Sequence, residues 1–149
     1  MKILSLDQST RSTGWALFTL EGCQLIDSGV IKEKSIEQMY YSINKLINDK
    51  DIDVLVFEDI YQLKGQKVFK ILSQLQGLIL SIVFSNKLQY KIIHPKTWKK
   101  CVGIKSTKRN QQKLDSIEIC REIFGKEVGE DEADAILIGY SSMLEMSNQ

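Results

Sequence analysis

Histidine is almost missing from this chain. His94 is the single one among 149 residues, which excludes a histidine-based catalytic triad and leaves the usual zinc sites without imidazoles. The thiols are no better placed: Cys23, Cys101 and Cys120 are odd in number, far apart and in no Cys-x-x-Cys spacing, so they read as small buried hydrophobes in a reducing compartment. Proline occurs once, and no Pro/Gly-rich linker, repeat or low-complexity tract divides the sequence. The expectation is one domain over residues 1–149, long enough to bury roughly 70% of its unfolded surface without staples. No uninterrupted apolar run reaches the roughly 20 residues of a membrane span, and Asp7 interrupts what would be a signal-peptide core, so a cytoplasmic protein with no membrane partner is expected. Any metal chemistry must come from carboxylates.

A second absence is local. From Ile60 to Leu114 there is no Asp or Glu, while twelve Lys and Arg side chains fall there, the first being Lys64 and the last Lys113. The formal net charge of +1 hides this segregation, since the rest of the chain is strongly acidic. A contiguous basic third can bind a polyanion whatever the overall charge, because counterion release depends on the local face. Nucleic acid is the candidate partner; scattered solvated lysines are the alternative.

Three short strands are predicted over residues 2–7, 13–20 and 23–31, with Glu21-Gly22 as a hairpin turn. Ser35 caps a helix whose apolar positions Ile36, Met39, Tyr40, Ile43 and Ile47 keep helical spacing to about Asp49. Residues 53–59 form a near-continuous apolar run, as expected of a strand covered on both faces. Residues 66–85 predict a helix apolar over most of its circumference, to be buried in its own domain or against a partner. A strand over 89–93, a helix capped by Ser106 or Thr107 and ending near Phe124, and a last helix over about 131–146 complete an α/β order with helical crossovers.

Asp7 ends the first strand and Glu58 the fourth; if these strands are parallel neighbours, both acids lie at one sheet edge, where open α/β sheets bind ligands. Asp131 and Asp134, three residues apart on the last helix, could close the same site. Each acid taken singly could be a turn former or helix cap, and Asp59, Glu130 and Glu132 compete as candidates. Alternation puts Glu58 on the face of Val54 and Val56 and Asp59 on the other. Oxygen donors alone favour Mg²⁺, with Mn²⁺ as substitute, and two such ions can promote in-line attack on a phosphodiester. Among other residues, His94 reads as structural, Trp15 as core, and Trp98 as equally suited to core or DNA.

These residues resemble the RuvC-type Holliday junction resolvases nearly end to end. Asp7-Gln-Ser-Thr-Arg11-Ser-Thr-Gly14-Trp is similar to the family's opening Asp-Pro-Gly-x-Arg-x-x-Gly-aromatic motif. Val56-Phe-Glu58-Asp-Ile-Tyr61 resembles its second catalytic strand, Ser73-Gln-Leu-Gln-Gly77 the helix that follows, and Asp131-Glu-Ala-Asp134-Ala135 its closing Asp-x-x-Asp-Ala motif. The resemblance implies a ribonuclease H-like fold with a five-stranded mixed sheet flanked by helices. It also implies a homodimeric endonuclease that nicks Holliday junctions and other branched DNA, in which Asp7, Glu58, Asp131 and Asp134 are catalytic metal ligands. Tyr61 would contact bases, and the family's functional lysines fall within residues 99–109; Lys100, Lys105, Lys108 and Arg109 are the expected DNA-binding residues. Gln8 and Ser9 depart from the family's Pro-Gly, and the chain's length suggests a compact phage-type member. Two alternatives stand beside this reading. One is an ATP-binding protein of the actin and sugar-kinase superfold, against which a single domain argues, so that no nucleotide cofactor is expected; the other is an inactive branched-DNA-binding protein.

Overall fold

The structure is a computed structural model and describes residues 1–61 and 65–148, so Lys64 of the acid-free run lies outside the described residues. Along the chain run β1 (Lys2–Asp7), β2 (Ser12–Thr19), β3 (Gln24–Lys32), α1 (Ile36–Lys50), β4 (Val54–Glu58), α2 (Gln66–Ser85), β5 (Gln89–Ile93), α3 (Pro95–Cys101), α4 (Arg109–Phe124) and α5 (Glu130–Ser147). The strands form one mixed sheet in the order β3-β2-β1-β4-β5. β1, β2 and β3 pair antiparallel, whereas β1, β4 and β5 run parallel and are joined through helices. The turn between β2 and β3 is a short 3-10 segment over Glu21–Cys23, with Gly22 at φ 78°, where a two-residue hairpin was expected.

Period-two alternation sorts the strand side chains into two layers. Ile3, Phe18, Val54 and Val56 pack with Ile136 and Leu137 of α5, Cys120 of α4 and Trp98 of α3. Leu4, Leu6, Leu55 and Phe57 pack on the other side with Met39 and Ile43 of α1 and Leu75 and Ile79 of α2. α5 lies unusually close to the sheet. A Cβ on Gly139 would stand 2.4 Å from the Phe18 ring, and the buried Ser5 hydroxyl of β1 donates to the Ala135 carbonyl at 2.6 Å.

Several expectations are corrected here. α3 was not anticipated; it is short, begins with Pro95 in its first turn, and is capped by His94, whose Nδ1 accepts the Lys96 N–H at 3.1 Å. α4 begins at Arg109 with Lys108 as its N-cap residue and no side-chain cap. Ser106 instead accepts the Lys108 N–H at 3.1 Å, just before the helix. Of the cysteines only Cys120 is buried; Cys101 is exposed. α2 buries one face, through Leu75, Ile79, Ile82 and Val83, and leaves Val68, Ile71 and Phe84 at 40%, 40% and 62% exposure. By length and composition alone this helix could cross a membrane, a property that helices packed in a protein core share, so it does not overturn the expectation of no membrane span. Trp98 is wholly buried, and Trp15 is half-buried with its ring over Gly29.

Candidate active site

The register of the sheet places the first two acids. β1 and β4 run parallel with Leu6 level with Phe57, so the next residues, Asp7 and Glu58, are level at the carboxyl edge of the sheet. Both project to the layer that holds α3 and α5, because Ile3, Val54 and Val56 do so two or four residues earlier. On its other side Asp7 pairs with Gly14 of β2, and the first turn of α5 rests on that glycine: a Cβ there would lie 1.9 Å from the Asp131 carbonyl oxygen. Asp131 and Asp134 thus come to the edge where the strand acids end.

The competing acids are turned to other partners. Asp59 accepts the Ile60 N–H at 2.9 Å, Glu130 pairs with Lys113 at 2.8 Å, and Glu132 accepts the Ser28 hydroxyl at 2.5 Å. Within the site, the indole N–H of Trp98 donates to Glu58 Oε2 at 2.6 Å, and the Ser12 hydroxyl to Asp131 Oδ2 at 2.6 Å. Burial raises Asp7 well above the usual carboxylate range; Glu58, Asp134 and Asp131 push it further, and Lys99 draws it back. Burial likewise lifts Glu58 to about 7 against the opposing pull of the Trp98 hydrogen bond, with Asp134 pushing up and Lys99 and Arg109 pulling down. Asp134 rises to about 6, again through burial, while the Ser116 hydroxyl and Lys99 hold it down and Asp131 and Glu130 push it up.

Three acids raised by burial and by neighbouring carboxylates in a half-buried site call for a positive charge, and their all-oxygen donor set suits a hard divalent cation. Among the described residues no three acidic, histidine or cysteine side chains already stand at metal-holding spacing.

Of the expected basic residues, Arg109 acts on Glu58, and Lys105 and Lys108 are exposed in the connection between α3 and α4. Lys100 is exposed beside Lys96, Thr97 and Cys101. The lysine whose charge reaches Asp7, Glu58 and Asp134 is Lys99, half-buried with Nζ 3.1 Å from Gln112 Oε1. Sequence reasoning chose Lys100 where Lys99 faces the acids, left Trp98 between core and DNA, and passed over Ser12; the Pro95 start of α3 was the available signal for the first two. Tyr61 is 41% exposed, and its ring stacks on His94 with centroids 5.5 Å apart. A concavity of about 590 Å³ lined by Leu25, Ile26, Phe124 and Tyr140 lies at the opposite end of β3, away from these groups.

The raised acids give a stability prediction. In the unfolded chain they ionise near 4, whereas the folded chain holds the Glu58 proton to about 7, so folding takes up protons in between and stability falls as pH rises through that window. In chelator-containing buffer, Glu58→Gln should therefore match the parent near pH 4 and exceed it at pH 8 by on the order of 2 kcal/mol in denaturant unfolding. A variant less stable than the parent at pH 8 would contradict the burial of this charge.

A mixed sheet in the order 3-2-1-4-5 with helices on both faces is a ribonuclease H-like fold. Thermus thermophilus RuvC in complex with Holliday junction substrate superimposes with a TM-score of 0.79 at 13% identity, covering 99% of this chain and 96% of that one. The Fowlpox virus resolvase, in complex with Holliday junction DNA, gives 0.75 at 17% identity over 98% and 99%. The sequence itself matches the RuvC family, crossover junction endodeoxyribonuclease RuvC, over residues 3–141, and the chain belongs to that family. The crossover junction endodeoxyribonuclease RuvC of Orientia tsutsugamushi (strain Ikeda) is 26% identical over 95% of this chain and 94% of its own length. That of Rickettsia rickettsii (strain Sheila Smith) is 26% identical over 97% and 98%. These bacterial relatives are of nearly equal length, so length lends no support to a phage-type assignment.

Proposed function

We propose that this chain is a metal-dependent endonuclease that nicks Holliday junctions and related branched DNA. The observation that carries the reading is the level placement of Asp7 and Glu58 beneath the first turn of α5, with Lys99 facing them, in a chain of the RuvC family. Asp7, Glu58, Asp131 and Asp134 would hold Mg²⁺, two ions per site, with Mn²⁺ as substitute. When bound, the ions supply the positive charge that promotes attack of water on the phosphodiester and offsets charge on the leaving oxygen, giving 5′-phosphate and 3′-hydroxyl ends.

The chain's own residues do the rest. Trp98 engages Glu58 Oε2 and so leaves Oε1 free for a ligand, and Ser12 does the same for Asp131. Lys99 and Arg109 set positive charge against the acids, where a phosphate would lie. Lys100, Lys105 and Lys108 extend the basic surface outward and grip the backbone without reading sequence. Tyr61, braced on His94, offers an exposed ring for stacking on an unpaired base at the branch point.

Phe84 near the end of α2 and Tyr90 of β5, whose rings meet edge to face, form one exposed apolar patch, and Val68 and Ile71 are separately exposed near the start of the helix. A second copy of the chain covers the Phe84–Tyr90 patch in the assembly proposed, and the dimer presents two sites to opposing strands. The free cysteines suit a reducing, cytoplasmic setting.

The test is a panel of four-way, forked, flapped and linear duplex DNA incubated with Mg²⁺ or with chelator. Paired nicks in the four-way junction, dependent on the metal and absent from linear duplex, are expected, together with a solution mass twice the 17.1 kDa of the chain. Equal cutting of linear duplex, or cleavage in chelator, would overturn the reading.

A further inference from the structure

The β1–β4 ladder ends one residue short of the acids, at Leu6 and Phe57. Glu58 is paired with Ile93 of β5, and the next N–H, that of Asp59, also turns to β5, donating to the Ile93 carbonyl at 2.8 Å. The N–H and C=O of Glu58 point the other way, to β1, as alternation along a strand requires. A single side chain meets both. Gln8 donates from Nε2 to the Glu58 carbonyl at 2.6 Å, and its Oε1 accepts the Glu58 N–H at 3.2 Å. Its carboxamide takes the place of a peptide group and adds one rung to the ladder at the level of the site.

Two further facts fit this role. Gln8 is 8% exposed, one of few buried polar residues, and a buried carboxamide is retained at low cost only when its donor and acceptor are both used. The turn that follows is closed independently, since Thr13 Oγ1 accepts the Ser9 N–H at 3.1 Å and donates to the Ser9 carbonyl at 2.8 Å. Gln8 is therefore not needed to make the turn, and its amide is committed to β4.

We infer that Gln8 is a positioning residue for the candidate active site: its side chain locks the Glu58 backbone beside Asp7 and so fixes the spacing of the two strand carboxylates. This rests on the reading of Glu58 as a metal ligand. The position is one at which this chain departs from the proline that its opening motif otherwise resembles, and proline has neither group of the bridge.

Three measurements test it together. In the parent protein, hydrogen exchange of the Glu58 amide should be slowed as strongly as that of Val56, although the backbone ladder stops before it; exchange at the rate of an open amide would refute the bridge without any variant. Gln8→Leu keeps the bulk and removes both hydrogen bonds. It should weaken Mn²⁺ binding to the DNA-free protein about tenfold by calorimetry and lower single-turnover junction cleavage about tenfold to a hundredfold at fixed metal, with junction affinity within about twofold. Unchanged Mn²⁺ affinity and cleavage in a folded Gln8→Leu protein would overturn the proposal. Glu58→Gln is run in parallel: if it retains cleavage, the assignment of Glu58 fails, whereas loss in Glu58→Gln with a Gln8→Leu protein like the parent defeats the Gln8 proposal alone.

Discussion

Asp7→Asn should lower junction cleavage by at least about 10³-fold, some 4 kcal/mol of transition-state stabilisation, while junction binding in chelator stays within about threefold of the parent. Asp7 is the acid on which the others bear: burial raises it most, and Glu58, Asp134 and Asp131 all push it further up. The amide keeps the shape of the side chain and removes only the charge that a cation would need. Because that charge is repelled by its neighbours in the metal-free protein, the same substitution should make the metal-free chain more stable near pH 8. Single-turnover cleavage, a gel-shift titration and thermal melts would establish the three parts. Cleavage within tenfold of the parent would remove Asp7 from the site.

Gly14→Ala is the second large effect. The added methyl would stand 1.9 Å from the carbonyl oxygen of Asp131 and 2.5 Å from its carbonyl carbon, both of them backbone. Nothing flexible can yield. Either the first turn of α5 lifts off β2 or the strand bends, and overpacking of this kind costs about 1–3 kcal/mol of stability. The catalytic loss should match the upper end of that range. Asp131 and Asp134 ride on the turn that must move, and a shift of about 1 Å is enough for a loss near 10²-fold. Junction affinity, carried by lysines and Arg109 of α3, α4 and their connection and not by α5, should change little, so the defect would appear in turnover. An unchanged cleavage rate would mean that α5 is not seated by Gly14.

Much of this arrangement was legible in the residues. Alternation in β4 set Glu58 and Asp59 on opposite faces without saying which reaches the site; the resemblance chose Glu58, and the parallel register puts it level with Asp7. The basic third and the closing Asp-x-x-Asp were equally plain. α3 was missed because a seven-residue helix, rich in lysine, shows no periodicity to read; with it went the knowledge that Trp98 turns inward and that Lys99 is the lysine facing the acids. The Gln8 bridge was illegible for a different reason, since a side chain standing in for a peptide group leaves no pattern along the chain. Which part of α2 the sheet covers was not legible, because its composition is apolar almost all round and only packing shows it.

The order in which the acids occur along the chain has a consequence for synthesis. Asp7 and Glu58 leave the ribosome before Asp131 and Asp134, whose turn opens α5, and the buried residues of that helix also complete one of the two hydrophobic layers. A nascent chain therefore carries its basic stretch out of the ribosome before it has all four acids, and the site cannot close until α5 has emerged.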